Sequence, residues 1–227
     1  MKTQKQIPLY GEIDLPHPPK SLVDEIMEVA LDEDKSVPEA GRLYDELGTK
    51  IWFREIKDID DTYGKGRPNI RFDLNQAADD WVRENICKTH DGAFVNVVYQ
   101  TDEGGATTAP IHTDMSRDWV LIYLLETSNP DQSTKFWREK GQPIVRDRSI
   151  FLNHWDDCEK IGEVSFELHK WYFMNARVLH SIHNIIGDRR GRIAIQVKID
   201  DPLTPDRFYN KVDVKLSVQD DTLEEVK

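Results

Sequence analysis

Arg192-Ile193-Ala194-Ile195-Gln196-Val197-Lys198-Ile199 is the run that decides the fold class. Aliphatic residues at 193, 195, 197 and 199 alternate strictly with Arg192, Ala194, Gln196 and Lys198. Successive side chains of a strand point to opposite faces, so this is a β-strand with one apolar face. Its other face opens with a cation. A guanidinium fork matches a carboxylate at two points, and small Ala194 on the same face leaves room for a ligand. The bland alternative for Arg192 is a solvent-exposed side chain on an edge strand.

The same period of two recurs upstream. From residue 93, Val95, Val97 and Tyr99 alternate with Phe94, Asn96 and Val98. Trp119 to Leu125 is apolar on both faces, as a central strand is. Gly141-Gln142-Pro143 marks a turn, Val164, Phe166 and Leu168 alternate, and Trp171 to Met174 reads as another strand. Gly187 to Gly191 is a polar turn. Many short strands with turns between them predict a sandwich or barrel.

Before residue 93 the period is helical. Pro16, Pro18 and Pro19 end an extended lead-in over residues 1–20. Ser21 and Asp24 fit a capping pattern, with Leu22, Ile26 and Val29 following at helical spacing. Residues 31–37 read as charged loop, Pro38 to Leu47 as a second short helix, and Ile51 to Ile56 as a strand. Ala78, Trp81 and Asn85 place a third helix over Asn75 to Ile86. The chain is therefore expected to be α+β and mainly β, in a single domain over 1–227. Residues 1–92 form a helical and mixed lead-in packed outside the sheet, 93–200 the β-core, and 201–227 an extension whose acidic end, after Leu216, is frayed.

Composition excludes some classes. The 227 residues are 38% hydrophobic and 32% charged, and no apolar run approaches the length that spans a bilayer. A net charge of −12 argues against a nucleic-acid partner, although Arg189, Arg190 and Arg192 form one local basic cluster. Met1 to Tyr10 lacks the apolar core of a signal peptide, so a cytoplasmic protein is expected. Two isolated cysteines, Cys87 and Cys158, read as reduced thiols rather than a disulfide framework.

Ile111-His112-Thr113-Asp114 holds the first chemical signal. In extended chain, His112 and Asp114 share a face and aim at one point, which makes half of a metal site. By itself such a triplet also describes a surface His beside a turn Asp. The second signal is His180, 68 positions later (180 minus 112), in Asn175-Ala176-Arg177-Val178-Leu179-His180-Ser181-Ile182-His183-Asn184. Two His and one carboxylate fill one face of an octahedral metal and leave three positions open, the pattern of non-haem iron(II) oxygenases. His183 competes with His180. In a strand the two face opposite ways, so one metal takes only one of them. His17, His90, His154 and His169 read as surface or satisfied half-buried side chains.

His112-Thr113-Asp114, His180-Ser181-Ile182 with Asn184, and Arg192-Ile193-Ala194 together resemble the iron(II)/2-oxoglutarate-dependent oxygenase superfamily, in its aspartyl/asparaginyl β-hydroxylase-like or prolyl-hydroxylase-like branch. The resemblance covers about residues 93–200. It implies a double-stranded β-helix (jelly-roll, cupin-like) core. It also implies Fe(II) held by His112, Asp114 and His180, 2-oxoglutarate as co-substrate with its far carboxylate on Arg192, and O2 as oxidant. The H-S-I-x-N match favours His180 over His183. The Arg of this family falls near ten positions after the His. Arg190 stands at ten and Arg192 at twelve, and Arg192 is preferred because the apolar alternation starts there. Ala194 departs from the family, where a hydroxyl residue often binds the co-substrate. Tyr99 is a further candidate for co-substrate contact, or else a half-buried strand Tyr. Arg117 is a candidate for a substrate or co-substrate acid, and Asn175 for orienting a ligand.

The implied reaction is oxidative decarboxylation of 2-oxoglutarate coupled to hydroxylation of an amino-acid side chain, free or in a polypeptide. Two alternatives stand beside it. A cupin-like metal-binding protein or zinc hydrolase would want a free carboxylate base and no dedicated Arg. A non-catalytic ligand-binding sandwich leaves the cation on the polar face of 192–199 unexplained.

Overall fold

The computed structural model describes residues 6–31, 51–54, 69–74, 76–90, 92–98, 111–114, 117–146, 151–152, 155–185, 191–199 and 214–220. Its elements, in order, are Gln6–Ile13 (β1), Lys20–Leu31 (α1), Ile51–Arg54 (β2), Asn69–Asp73 (β3), Gln76–Asn85 (α2), Gly92–Val98 (β4), Ile111–His112 (β5), Trp119–Thr127 (β6), Ser133–Glu139 (β7), Phe151–Leu152 (β8), Cys158–Val164 (β9), Trp171–Asn175 (β10), Leu179–His183 (β11), Arg192–Ile199 (β12) and Val214–Asp220 (β13). The protein is mainly β, with two α-helices among the described residues. The expected helix over Pro38 to Leu47 lies outside them, as do Tyr99, His154 and Arg190.

The strands form two antiparallel sheets. One runs β13-β1-β10-β6-β12-β4-β3-β2 and the other β8-β5-β11-β7-β9. From β4 onward the chain passes back and forth between them: β4, β6, β10 and β12 belong to the large sheet, and β5, β7, β8, β9 and β11 to the small one.

Two apolar clusters follow from strand parity. On the outer face of the large sheet, Ile193, Ile195, Val197 and Ile199 of β12 pack with Val95, Val97, Leu121 and Phe173. Leu22 and Ile26 of α1 and Ala78 and Val82 of α2 complete that cluster, so both helices lie on the outside of this sheet. The inner cluster fills the space between the sheets with Val120, Ile122, Leu124, Tyr172, Met174 and Ala194 against Phe136, Phe166 and Val178. β6 contributes to both clusters, which is why its sequence is apolar on both faces. β12 lies between β6 and β4, so Arg192 is on a central strand, not an edge.

Several expectations need correction. The lead-in over 1–20 contains β1, which pairs with β10 from Tyr10↔Met174 to Ile13↔Trp171. The tail after Leu216 is not frayed throughout, because β13 pairs with β1 from Gln6↔Asp220 to Ile13↔Val214. Strands from both ends of the chain thus join the sheet assigned to 93–200. The alternation at Val164, Phe166 and Leu168 does not mark one strand: β9 ends at Val164, and Leu168 makes an isolated bridge to Leu124. Helix α1 starts at Lys20, with Val23 N donating to Pro19 O at 3.1 Å. Asp24 pairs with Lys20 Nζ at 2.6 Å instead of capping the helix with Ser21.

Candidate metal centre

β5 and β11 place the two His side by side. His112 and His180 are direct cross-strand partners, and directly opposed residues share a face at close Cβ separation. Their rings stand 4.5 Å apart between centroids. Asp114 follows just past the end of β5, where its N–H donates to Ala176 O at 3.0 Å. Its Oδ1 lies 3.8 Å from His112 Nε2 and 4.0 Å from His180 Nε2. One potential donor atom from each of the three residues lies within 4.8 Å of the others.

The surroundings prepare each donor. Nδ1 of His180 lies 2.9 Å from Val178 O. A proton on Nδ1 satisfies that carbonyl and leaves the Nε2 lone pair facing Asp114, the arrangement that fixes the tautomer of metal-binding His. Burial, and then the neighbouring His112, push the His180 pKa down to about 4, so at neutral pH the ring is neutral and able to ligate. Burial opposes the charge on Asp114, but Arg117, His180 and His112 outweigh it and hold the carboxyl well below the usual range.

Arg117 makes the decisive contact to that carboxylate. Its Nε donates to Asp114 Oδ2 at 2.5 Å and its Nη1 to Gln196 Oε1 at 2.9 Å, with the guanidinium 5.4 Å over the Phe94 ring. Arg117 therefore holds Oδ2 of Asp114, while Oδ1 is the oxygen nearer the two His rings. Gln196, on the inner face of β12, anchors the brace. Sequence reading proposed Arg117 for a substrate or co-substrate acid, and the acid it binds here is Asp114. Gln196 was missed; its position in the Arg192-Ala194-Gln196 row was its only signal.

Arg192 stands on the same face, further along β12. It is only 4% exposed, and burial pushes its pKa down to about 10. Its single recorded contact among the described residues is the Phe166 ring, 5.5 Å from the guanidinium carbon. Among the described residues, no carboxylate pairs with it. It lines a cavity of about 290 Å³ with Leu124, Thr134, Phe166 and Asn129. The His112, Asp114 and His180 side chains are not part of that lining, and the inner face of β12 runs between the two places.

His183 faces the other way. Ser181 Oγ lies 2.8 Å from His183 Nε2 and accepts from Trp137 Nε1 at 2.7 Å, so these three side chains form a hydrogen-bonded row away from the donors. Asn175 is a turn brace, accepting from Arg177 N at 3.1 Å and donating to Pro8 O at 3.1 Å. It does not contact His180 in any recorded bond. Asn184 has φ 58°, in the left-handed region that Asn tolerates better than most residues. Its amide donates to Asp131 O at 3.0 Å, and Asn129 Nδ2 donates to Asn184 O at 2.9 Å, fixing the loop beside the Arg192 cavity. His17 and His169 flank Tyr123, with His17 Nδ1 3.0 Å from the Tyr123 hydroxyl. His90 packs beside Asp79 of α2. None of these three belongs to the donor cluster.

No family model matches the chain, and no curated protein matches it. A solved structure, the crystal structure of the coconut allergen cocosin, is 12% identical over 63% of this chain, with a TM-score of 0.30. The chain spans 28% of that protein's length. A likeness of that size bears on neither fold nor function. No helix among the described residues is long and apolar enough to cross a membrane.

Proposed function

We propose that this chain is an iron(II)/2-oxoglutarate-dependent dioxygenase on a double-stranded β-helix, with His112, Asp114 and His180 as metal ligands and Arg192 as the anchor of the co-substrate. The observation that carries the reading is Arg192: a charged side chain, buried in the inter-sheet space with no anionic partner among the described residues, facing a cavity. A buried charge without a partner is costly, so a site that keeps one is built for an anion. The alternation of the chain between two sheets supports the β-helix. The donor set fits iron(II), since one carboxylate and two imidazoles on one side leave positions for other ligands. Bound iron would supply the oxidative chemistry that couples decarboxylation of 2-oxoglutarate to hydroxylation of a substrate.

The chain's own residues hold and orient. His180 is kept neutral by burial, and Arg117 holds Oδ2 of Asp114. Arg192 can grip a carboxylate in a dry site, where a charge-assisted pair is strongest. Against a zinc hydrolase stands Arg117, which occupies the second oxygen of Asp114 and so removes the local carboxylate as a free base. The resemblance of the His180-Ser181-Ile182 and Asn184 run directs the proposal to an amino-acid side chain, free or in a polypeptide.

The test is to mix protein, Fe(II) and 2-oxoglutarate under nitrogen and follow the visible charge-transfer band. A band that saturates with 2-oxoglutarate is expected, followed in air by succinate formation with the right substrate. Arg192→Ala should raise the 2-oxoglutarate needed by roughly thirtyfold or more, since losing one desolvated charge pair costs on the order of 2–5 kcal/mol. Arg192→Lys should recover part of that loss as a point charge without the fork. Fe(II) affinity alone should not change. A protein that binds Fe(II) but shows no 2-oxoglutarate response would end this reading.

A further inference from the structure

Between the metal donors and Arg192 lies one polar side chain that the site described so far does not use. β12 pairs with β4 so that Arg192 stands opposite Val98, Ala194 opposite Asn96, and Gln196 opposite Phe94. Opposed residues share a face. Val95 and Val97 belong to the outer cluster, and the Phe94 ring lies under Arg117. Asn96 therefore faces the inter-sheet space, next to Ala194 and diagonal to both Arg192 and Gln196.

Asn96 Oδ1 is buried with no hydrogen-bond partner, one of two such side-chain atoms among the described residues. A buried amide oxygen without a partner is destabilising. The two ends of a primary amide are nearly isosteric, and turning it puts Nδ2, a donor, where Oδ1 stands. Ala194 opposite is small and contributes no polar atom. Among the described residues, the inner face thus carries a guanidinium with no anionic partner and an amide oxygen with no hydrogen-bond partner, on adjacent strands and one diagonal step apart.

We propose that Asn96 is a specificity-determining residue of the co-substrate pocket: its amide donates to the same carboxylate that Arg192 grips. This rests on the 2-oxoglutarate reading. Arg192 supplies the charge, and Asn96 fixes how far from the metal the carboxylate lies, which selects a keto acid by the length of its chain. The arrangement accounts for a buried amide oxygen kept without a partner: turned to present Nδ2, the amide gains one from the carboxylate.

The experiment titrates 2-oxoglutarate into Fe(II)-loaded protein under nitrogen and, separately, measures thermal unfolding without metal or keto acid. Asn96→Ala should weaken 2-oxoglutarate about tenfold, the loss of one hydrogen bond to a charged group. It should leave Fe(II) affinity unchanged, and leave the melting temperature of the empty protein unchanged or raised. Asn96→Asp should weaken binding further, by placing a like charge beside the carboxylate. Ala194→Ser added to Asn96→Ala should regain part of the loss, because its hydroxyl starts directly opposite position 96. Wild-type binding by Asn96→Ala alongside weakened binding by Arg192→Ala overturns the role of Asn96 alone. A lowered melting temperature of the empty Asn96→Ala protein would make Asn96 structural and also overturn it. Absence of any 2-oxoglutarate response in the wild-type protein overturns the co-substrate reading, and the role of Asn96 with it.

Discussion

Arg117 binds the carboxylate of a His-Asp-His group that could hold a metal ion. Without metal, the guanidinium supplies the positive charge that Asp114 needs in the interior, and Gln196 holds the guanidinium in turn. Removing one partner of a buried pair leaves an uncompensated charge and costs roughly 3 kcal/mol or more. Arg117→Ala should therefore destabilise the metal-free protein by about that amount. Added Zn(II) or Co(II) should then raise the melting temperature of the variant by more than it raises that of the wild type, because the metal now supplies the missing charge. Thermal unfolding with and without the ion measures both. Equal stabilisation of the two proteins would mean that Arg117 does not offset the charge of Asp114. The spacing of Arg117, three residues after Asp114, was visible in the sequence, but its partner was not: Gln196 is 79 positions away along the chain, and only the folded sheets bring it near.

At the scale of elements, strand parity carried the site. The period of two over Arg192–Ile199 correctly divided inner from outer residues, and the same rule separated His180 from His183. His183→Ala should leave metal affinity unchanged, whereas His180→Ala should abolish binding of one equivalent of Fe(II), as read by calorimetry or by a colorimetric chelator. Loss of metal from the His183 variant alone would reverse the assignment. Parity was overlooked in β1, where Ile7, Leu9, Gly11 and Ile13 alternate as the buried row. β1 has Pro8 and Gly11 inside it, residues that usually interrupt strands, and its pairing with β10 and β13 is set by contacts more than 150 residues distant. β7 mixes Lys135 and Arg138 with Phe136 and Trp137, since its outer face meets polar side chains, so its sequence carries no clean alternation. Asn175 looked like a ligand-orienting group because it precedes β11. It is instead the residue that turns the chain from one sheet to the other.

The whole molecule has a second buried imidazole, away from the donors. The His90 side chain is fully buried against α2, with Nδ1 accepting from Gly92 N at 3.1 Å and Nε2 3.3 Å from Asp79 Oδ1, out of line for a hydrogen bond. Burial lowers its pKa; Asp79 partly offsets this and Arg83 adds to it. Below the unfolded value of about 6.5, the unfolded chain takes up a proton that the folded one resists. Stability is therefore complete above that pH and falls as the pH drops toward the lowered folded value. Urea unfolding of the metal-free protein should give a smaller free energy at pH 5.5 than at pH 7.5, and His90→Asn should reduce the difference. His180, held to about 4, adds to the same slope, so the His90 share is the part the variant removes. An unchanged difference in His90→Asn would assign the slope elsewhere. The sequence marked His90 as a surface or half-buried side chain, and burial against a helix is a property of packing that no local pattern shows.

β12 has a consequence for how such a protein can diverge. One strand carries the outer aliphatic row, the anchor of the Asp114 brace and the buried Arg192 guanidinium, in alternation. Inserting or deleting a single residue between Arg192 and Gln196 would turn one end of that series into the helix-facing cluster and bring an isoleucine or valine to the metal side. Substitutions at 192, 194 or 196 change one chemical property at a time, whereas a length change there alters all of them together. Lineages of this chain should therefore accumulate point changes on β12 while keeping its length fixed, and take their insertions in the connections between strands.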